Sequence, residues 1–322
     1  MPAVTTPGRS RAGAAPPGTA TGPVSGASGA RRRLRREHLL FLALVGPNFL
    51  LIAVFSYWPV IYDAYLSLTD WDMIAPVKNL VGLGNYADLF TGLGFADVLL
   101  VTLYFTVGVV GGGMVFGLGI AMLLNQRLRG RRFVRTMVFA PHVLSGAAVG
   151  LAWAFIFDPN YGLSRVFFAA VGAQSPAWLT DSDWALPAVI IVYLWKNTGF
   201  AAIVYLAGLQ NLPREVYESA ALDGSGPWTT FRRFTLPLLS PVTFFLVITS
   251  TISSFQAFDV IALTTGGGPA GATTTLSWFV YESGFQSFQA GPAGAGAIVM
   301  FAVIVAITFA QARYLERKVH YQ

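Results

Sequence analysis

Lys196 is the residue in this sequence best placed to do chemistry. It stands in the run Leu194-Trp195-Lys196-Asn197-Thr198-Gly199-Phe200, deep inside an apolar segment. A cation at the centre of a membrane helix costs at least ~2.5–3.5 kcal/mol unless it faces water or a partner. Tyr193, Lys196, Asn197 and Phe200 recur at helical spacing and share one face. A second stripe, Ser250, Ser253, Ser254 and Ala257, has the spacing of another helix face. Small hydroxyl residues let helices approach closely and can hydrogen-bond a solute. The chemistry on offer is therefore binding: an ammonium for an anion, hydroxyls and an amide for polar groups. The competing roles are a buried ion pair for Lys196 and plain helix packing for the serines. Asp259, in FQAFDVIALTTGGGP, reads as a residue of the external mouth or of a helix interface.

Catalysis is not on offer. The tracts Gly111-Gly112-Gly113 and Gly266-Gly267-Gly268 lack the lysine and the strand–helix setting of a phosphate-cradling loop. There is no cysteine, which excludes disulfides and thiolate metal sites. His38, His142 and His320 are far apart and show no metal spacing. The chain is expected to be no enzyme and to hold no cofactor or metal of its own.

The elements that position these residues are membrane helices. Of 322 residues, 54% are hydrophobic and 11% charged, where soluble domains carry about 25% charge. The apolar residues come in runs of ~20, long enough to cross a bilayer. The sequence predicts an all-α polytopic protein with six spans, at about 39–62, 98–124, 136–157, 185–209, 238–262 and 291–313. The second is Gly-rich from Gly108 to Gly119, which suits close packing. Trp58, Trp71, Trp153, Trp184 and Trp195 fall mostly near span ends, as an interfacial belt would. Between spans, 81–86 is expected to form a short surface helix. Residues 1–30 are rich in Ala, Pro, Gly, Ser and Thr and cannot bury a core, so a disordered tail is expected there, with the membrane domain at 31–322.

Lysine and arginine set the orientation. With the N-terminus inside, the inner segments collect Arg31 to Arg36, Arg127 to Arg135, Arg214, Arg232, Arg233, Arg313, Arg317 and Lys318. The outer segments hold only Lys78 and Arg165, while most carboxylates, including Asp70, Asp72, Asp88, Asp181 and Glu282, fall outside. Both termini are then cytoplasmic. An ion-coupled transporter would want carboxylates within the spans and an internal repeat; neither is read here.

One polar loop interrupts this pattern, REVYESAALDGSGPWTTFRRFTLPLLSP at 214–241. Pro213 opens a helix, Glu215 and Glu218 favour its positive end, and Asp223-Gly224 ends it. Ser225-Gly226-Pro227 turns, and a second short helix begins at Trp228. Gly224 is expected to hold a turn that a side chain cannot enter.

The loop resembles the cytoplasmic coupling loop of bacterial ABC importer permeases: E-A-A, three residues, G, nine residues, I-x-L-P. Glu218-Ser219-Ala220, Gly224 and Phe234-Thr235-Leu236-Pro237 carry the match, with Ser219 and Phe234 departing from it. The resemblance covers about 35–322 and is nearest the maltose-type, binding-protein-dependent permeases, through VGLGNY at 81–86, RLRGRRFVRTMVFAPHVLS at 127–145, FDPNYGL at 157–163, TTGGGPAGATTTL at 264–276 and ARYLERKVHYQ at 312–322. Within them it is most similar to the first permeases of glycerol-3-phosphate importers, through LDGSGP at 222–227, LPLLSPVTFFLVI at 236–248 and RYLERKVHYQ at 313–322.

That resemblance implies a type I importer permease fold with cytoplasmic coupling helices in a bacterial plasma (inner) membrane. It implies that Glu218, Ser219, Ala220, Asp223, Gly224, Phe234, Leu236 and Pro237, in the loop 214–237, dock on an ATPase that holds the ATP and magnesium. It implies three partners: a second, similar permease, an ATPase homodimer and an extracytoplasmic solute-binding protein. The faces Tyr193–Phe200 and Ser250–Ala257 would line the solute path. The solute would be glycerol-3-phosphate or a glycerophosphodiester such as glycerophosphocholine. A di- or oligosaccharide permease is the alternative, and an ion-coupled secondary transporter a more distant one.

Overall fold

The computed structural model describes residues 41–92, 94–126 and 129–316. The expected tail at 1–30, the arginines from Arg31 to Arg36, Arg127, His38, His320 and the end from 317 lie outside the described residues. The chain divides into two compact units, Met1–Pro59 and Val60–Gln322.

Helix α1 is Phe41–Leu66. A two-stranded antiparallel hairpin follows, β1 (Thr69–Asp70) with β2 (Asn79–Leu80), pairing Thr69 with Leu80 and Asp70 with Asn79. Then come α2 (Gly84–Thr91), α3 (Phe95–Asn125), α4 (Arg131–Val143), α5 (Gly146–Ile156), α6 (Leu163–Ala170) and α7 (Ser182–Gln210). The loop region forms α8 (Arg214–Leu222) and α9 (Pro227–Leu238). The chain ends with α10 (Ser240–Phe255), α11 (Asp259–Thr264), α12 (Leu276–Tyr281) and α13 (Ala290–Glu316). The hairpin is a small exception to the all-α expectation. Asn85 secures it by donating to the carbonyls of Ser67 (2.8 Å) and Thr69 (2.9 Å).

Among the described residues, four helices are long and apolar enough to cross a membrane unbroken: α1, α3, α7 and α13. The third expected span (136–157) is bent, and the fifth (238–262) follows a bend at its start and is interrupted at Gln256–Phe258. Helices α4 and α5 meet at 98°, and α9 and α10 at 64°. In the first case Leu144 and Ser145 leave the helix, with ψ of 144° and 134°, just after the ring of Pro141. In the second, α10 is 16 residues long, about 24 Å, against a hydrocarbon layer of ~30 Å. Its apolar run continues through the non-helical Gln256–Phe258 into α11. Apolar length is legible in sequence; the direction of the axis after a break is not. The first span also runs four residues past its expected end, which places Asp63 inside the helix.

Helix α7 is the central element, with 50% of its apolar window buried. Asp181 starts it by accepting from the Asp183 N–H at 2.9 Å. Helix α3 packs along it through the expected glycines. A Cβ on Gly117 would come 2.7 Å from the Ala201 Cβ, and Gly108 and Gly112 face Ile190 and Leu194. Two hydroxyls join further elements to α3: Thr102 accepts from the Leu276 N–H at 2.9 Å, and Thr106 meets Ser254 at 3.0 Å.

Candidate functional site

The breaks in α4–α5 and α10–α11 both open beside the middle of α7. There they leave a cavity of about 410 Å³, within the range of small-molecule sites. All eight residues singled out on the two stripes line it: Tyr193, Lys196, Asn197 and Phe200 from α7, and Ser250, Ser253, Ser254 and Ala257 from α10 and its end. The bend after α4 adds His142, and the start of α11 adds Asp259.

The polar groups are tied together in a definite way. The Asn197 amide donates to the Tyr193 carbonyl at 3.1 Å, which turns its Oδ1 toward His142. At 3.3 Å that oxygen can only accept, so His142 Nδ1–H is the donor. The imidazole stacks on Phe200, centroids 5.1 Å apart at 22°. Tyr193 donates its hydroxyl to Asp259 Oδ1 at 3.0 Å, and the Val260 N–H adds a second bond at 2.9 Å. The other face of the carboxylate lies against Gly146, where a Cβ would collide with it. Gly146 heads α5, so a helix N-terminus, which favours negative charge, abuts the carboxylate.

The serine stripe divides. Ser254 is buried and bound to the Thr251 carbonyl (2.7 Å) and the Thr106 hydroxyl (3.0 Å), which is a packing role. Ser253 is exposed and Ser250 half-buried on the cavity wall. Ala257 is buried in the apolar cluster behind it. Lys196 is half-buried, and among the described residues it has no ion-pair partner, so an internal salt bridge does not account for it.

Sequence reasoning missed His142 and misjudged Asp259. His142 follows a proline inside the third expected span, and only the bend at Leu144–Ser145 brings it inward. Asp259 stands where α10 has already stopped and α11 starts, so it faces the cavity rather than the mouth of a continuous span. The expectation of no carboxylates within the spans is corrected: Asp63 lies in α1, and Asp259, at the outer end of the fifth expected span, lines the cavity. Trp195 is also mid-helix, packed edge-on against Trp153 at 5.6 Å, not at a span end.

At the loop, α8 runs from Arg214 to Leu222 with Pro213 just before it and Asp223 closing it. Gly224 has φ +70°. The Ser225 N–H reaches the Ala220 carbonyl (2.9 Å) and the Gly224 N–H reaches that of Ala221 (3.1 Å), the paired closure of a left-handed helix cap. Nothing lies within 4 Å of where a Gly224 Cβ would sit. The expectation that a side chain cannot enter is thus corrected: space is open, and the backbone angle is what selects glycine. The second helix begins with Pro227 at its first turn and runs through Pro237 to Leu238. A Tyr217–Thr235 hydroxyl contact at 3.1 Å joins it to α8. Glu215, Ser219, Ala220, Asp223 and Phe234 line a shallow groove there, while Glu218, Leu236 and Pro237 lie on the same two helices outside it.

Comparison with known proteins bears on both regions. The family model "Binding-protein-dependent transport system inner membrane component" matches residues 113–321. The sn-glycerol-3-phosphate transport system permease protein UgpA of Yersinia pestis bv. Antiqua (strain Antiqua) is 34% identical over 280 residues, 87% of this chain and 95% of the relative. The protein of that name from Escherichia coli (strain UTI89 / UPEC) is 33% identical over 294 residues, 90% and 99% of the two chains. Among solved structures, a chain of a bacterial ABC transporter involved in import of the acidic polysaccharide alginate superposes with a TM-score of 0.76 at 25% identity, covering 89% of this chain and 98% of that one.

Proposed function

The chain belongs to the family of binding-protein-dependent transport system inner membrane components, and from that premise we propose that it carries glycerol-3-phosphate or a glycerophosphodiester across the membrane. As a member it is a non-catalytic permease subunit of an ABC importer. In our reading the bent pair α4–α5 is one crossing and α10 with α11 another, giving six, with both termini and the loop 214–237 on the cytoplasmic side. Arg129, Arg131, Arg132, Arg135, Arg214, Arg232 and Arg233 then all lie inside. A second permease completes the pathway. An ATPase homodimer grips α8 and α9, and its closure on ATP rocks the helices so that the cavity turns outward to receive solute from the binding protein.

One observation carries the solute assignment. Lys196 stands half-buried in the middle of α7, without an internal ion pair among the described residues, in a cavity with Asn197, His142 and the Ser250 and Ser253 hydroxyls. An anion in such a cavity needs a counter-charge, since an uncompensated one is strongly disfavoured. Lysine supplies it as a compact donor on a flexible stem. The names of the similar permeases, which specify sn-glycerol-3-phosphate, support the same class.

The test is uptake by the complete complex with wild-type and Lys196→Gln permease. The panel is glycerol-3-phosphate, glycerophosphodiesters, neutral disaccharides and an anionic oligosaccharide. We expect phosphate solutes to be taken up and the variant to lose about tenfold or more, as loss of a charged hydrogen bond worth ~1.5–3 kcal/mol implies. Uptake of disaccharides without phosphate solutes would refute the assignment. The anionic oligosaccharide is included because the superposable alginate transporter takes an acidic polymer; its uptake alone would favour that second reading.

A further inference from the structure

The first turns of α4 carry cations that nothing in the fold answers. Arg131 and Arg135 stand one turn apart, both half-buried. Among the described residues, Nε and Nη2 of Arg131 and Nε of Arg135 are buried without a hydrogen-bond partner, and neither side chain is ion-paired. A buried charge left in that state is strongly disfavoured. The position adds to the cost. Arg131 and Arg132 occupy the first turn of a 13-residue helix, whose positive end disfavours cations. No carboxylate stands in that turn, and Gly130 before it supplies no side-chain cap. Buried guanidinium nitrogens and an uncapped helix start together call for an anion from outside the chain.

An apolar groove begins further along the same helix. Met137 opens it, six residues or about 9 Å along the axis from Arg131. Phe116 and Ile120 of α3 and Leu194 and Trp195 of α7 form its walls, around a volume of about 350 Å³. Phe116, Met137 and Trp195 are exposed there. A ligand that answers both parts has an anionic head and a hydrocarbon tail. Arginine binds phosphate through paired N–H donors, and basic pockets between membrane helices on the cytoplasmic side bind anionic head groups. A soluble phosphate would leave the groove unfilled. An ethanolamine head group would bring a further cation beside the two arginines, where like charges repel. Resting on the orientation proposed above, in which α4 begins at the cytoplasmic face, we infer that this site holds an anionic phospholipid of the inner leaflet, its phosphate on Arg131 and Arg135 and one acyl chain in the groove.

The experiment uses the complete complex purified in detergent, with no solute added. The probes are phosphatidylglycerol, phosphatidylethanolamine and inorganic phosphate, with bound copies counted by native mass spectrometry. We expect phosphatidylglycerol to bind at least tenfold more tightly than phosphatidylethanolamine. Arg131→Gln and Arg135→Gln should each weaken it about tenfold. Arg313→Gln, which removes an exposed charge from α13, should change it less than threefold. Equal binding of the two lipids, or equal effects of the three variants, overturns the proposal. Where the arginine variants fail to assemble, the wild type decides through Trp195. Its emission, isolated by difference from Trp195→Phe, should be quenched more by phosphatidylglycerol with brominated acyl chains than by brominated phosphatidylethanolamine. Absence of quenching means that another protein surface fills the groove, and inorganic phosphate bound in place of lipid means a soluble anion; either result overturns the lipid. A complex that binds the lipid but imports no phosphate solute removes the solute assignment and leaves this site standing. Labelling of Arg129→Cys from outside the cell, in a chain with no other cysteine, overturns the orientation and this inference with it.

Discussion

Replacing Gly224 separates two explanations for a glycine at the end of α8. Its φ of +70° lies in the left-handed region, and a Cβ there would meet nothing within 4 Å. The cost of a side chain is therefore conformational. For an ordinary L-residue it is about 1–2 kcal/mol, or roughly 5–30-fold in the balance between the closed turn and its alternatives. Asparagine tolerates this conformation, and a β-branched residue tolerates it least. The turn sets the angle between α8 and α9, the two helices proposed to meet the ATPase, so the loss should appear as coupling. The assay is solute transported per ATP hydrolysed in the reconstituted complex, with complex recovery measured alongside. We expect Gly224→Asn to stay near wild type, Gly224→Ala to fall several-fold, and Gly224→Val to fall furthest while remaining in the membrane. If Asn is as damaging as Val, the open space at this position is filled in the assembly and the backbone argument is wrong. Normal coupling by a well-expressed Gly224→Val complex would remove the turn from the mechanism altogether.

Three further outcomes are expected. Gly199→Ala should strongly reduce the yield of folded permease in detergent, because a Cβ there would run into the Val138 carbonyl and push α4 off α7; Gly112→Ala, which meets only the movable end of Leu194, should be tolerated, and equal yields would contradict the packing. Asp72 accepts from the Ala75 and Ile74 N–H groups at 2.7 and 3.0 Å, and these bonds hold its carboxyl below the usual carboxylate range. A lowered value stabilises the turn above the ordinary pKa of about 3.9 and loses that contribution as pH falls through the lowered one. Emission from Trp71, whose ring has the Lys78 ammonium 4.0 Å from its centroid, should therefore hold steady from pH 7 to about 4 and change only below; a transition between pH 5 and 6 would contradict this. A chain truncated near Gly29 should insert and transport as the full chain does, since the composition of 1–30 supports no core; loss of assembly would reveal a docking role for that segment.

How much was legible in the sequence depended on whether a feature is carried by one helix or by two. The cap at Asp223-Gly224 and the glycine face of α3 are local, written in residue types at fixed spacing. The two stripes were legible for the same reason. Each is a helical face, and a polar face inside an apolar run has few places to go. What the sequence could not give was the path of the chain after a helix stops. Leu144-Ser145 and Gln256-Ala257-Phe258 are unremarkable in composition, yet they turn one axis by 98° and end another short of a bilayer's thickness. Both breaks open on the same side of α7, and they bring in the two groups that spacing could not find, His142 and Asp259. A continuous fifth helix would have carried Asp259 about one and a half turns beyond Ser253–Ser254 and toward the membrane surface. The interruption instead leaves the carboxylate level with Tyr193, within hydrogen-bonding reach. The break, more than any single residue, is thus what converts a polar helix face into a cavity holding both signs of charge. Lengthening α10 by favouring helix across 256–258, as in Gln256→Ala with Phe258→Leu, should therefore draw Asp259 away from Tyr193 and shift solute preference even though no charge is changed. If such a variant assembles and its preference among charged solutes is that of the wild type, the geometry of the break does not govern the site.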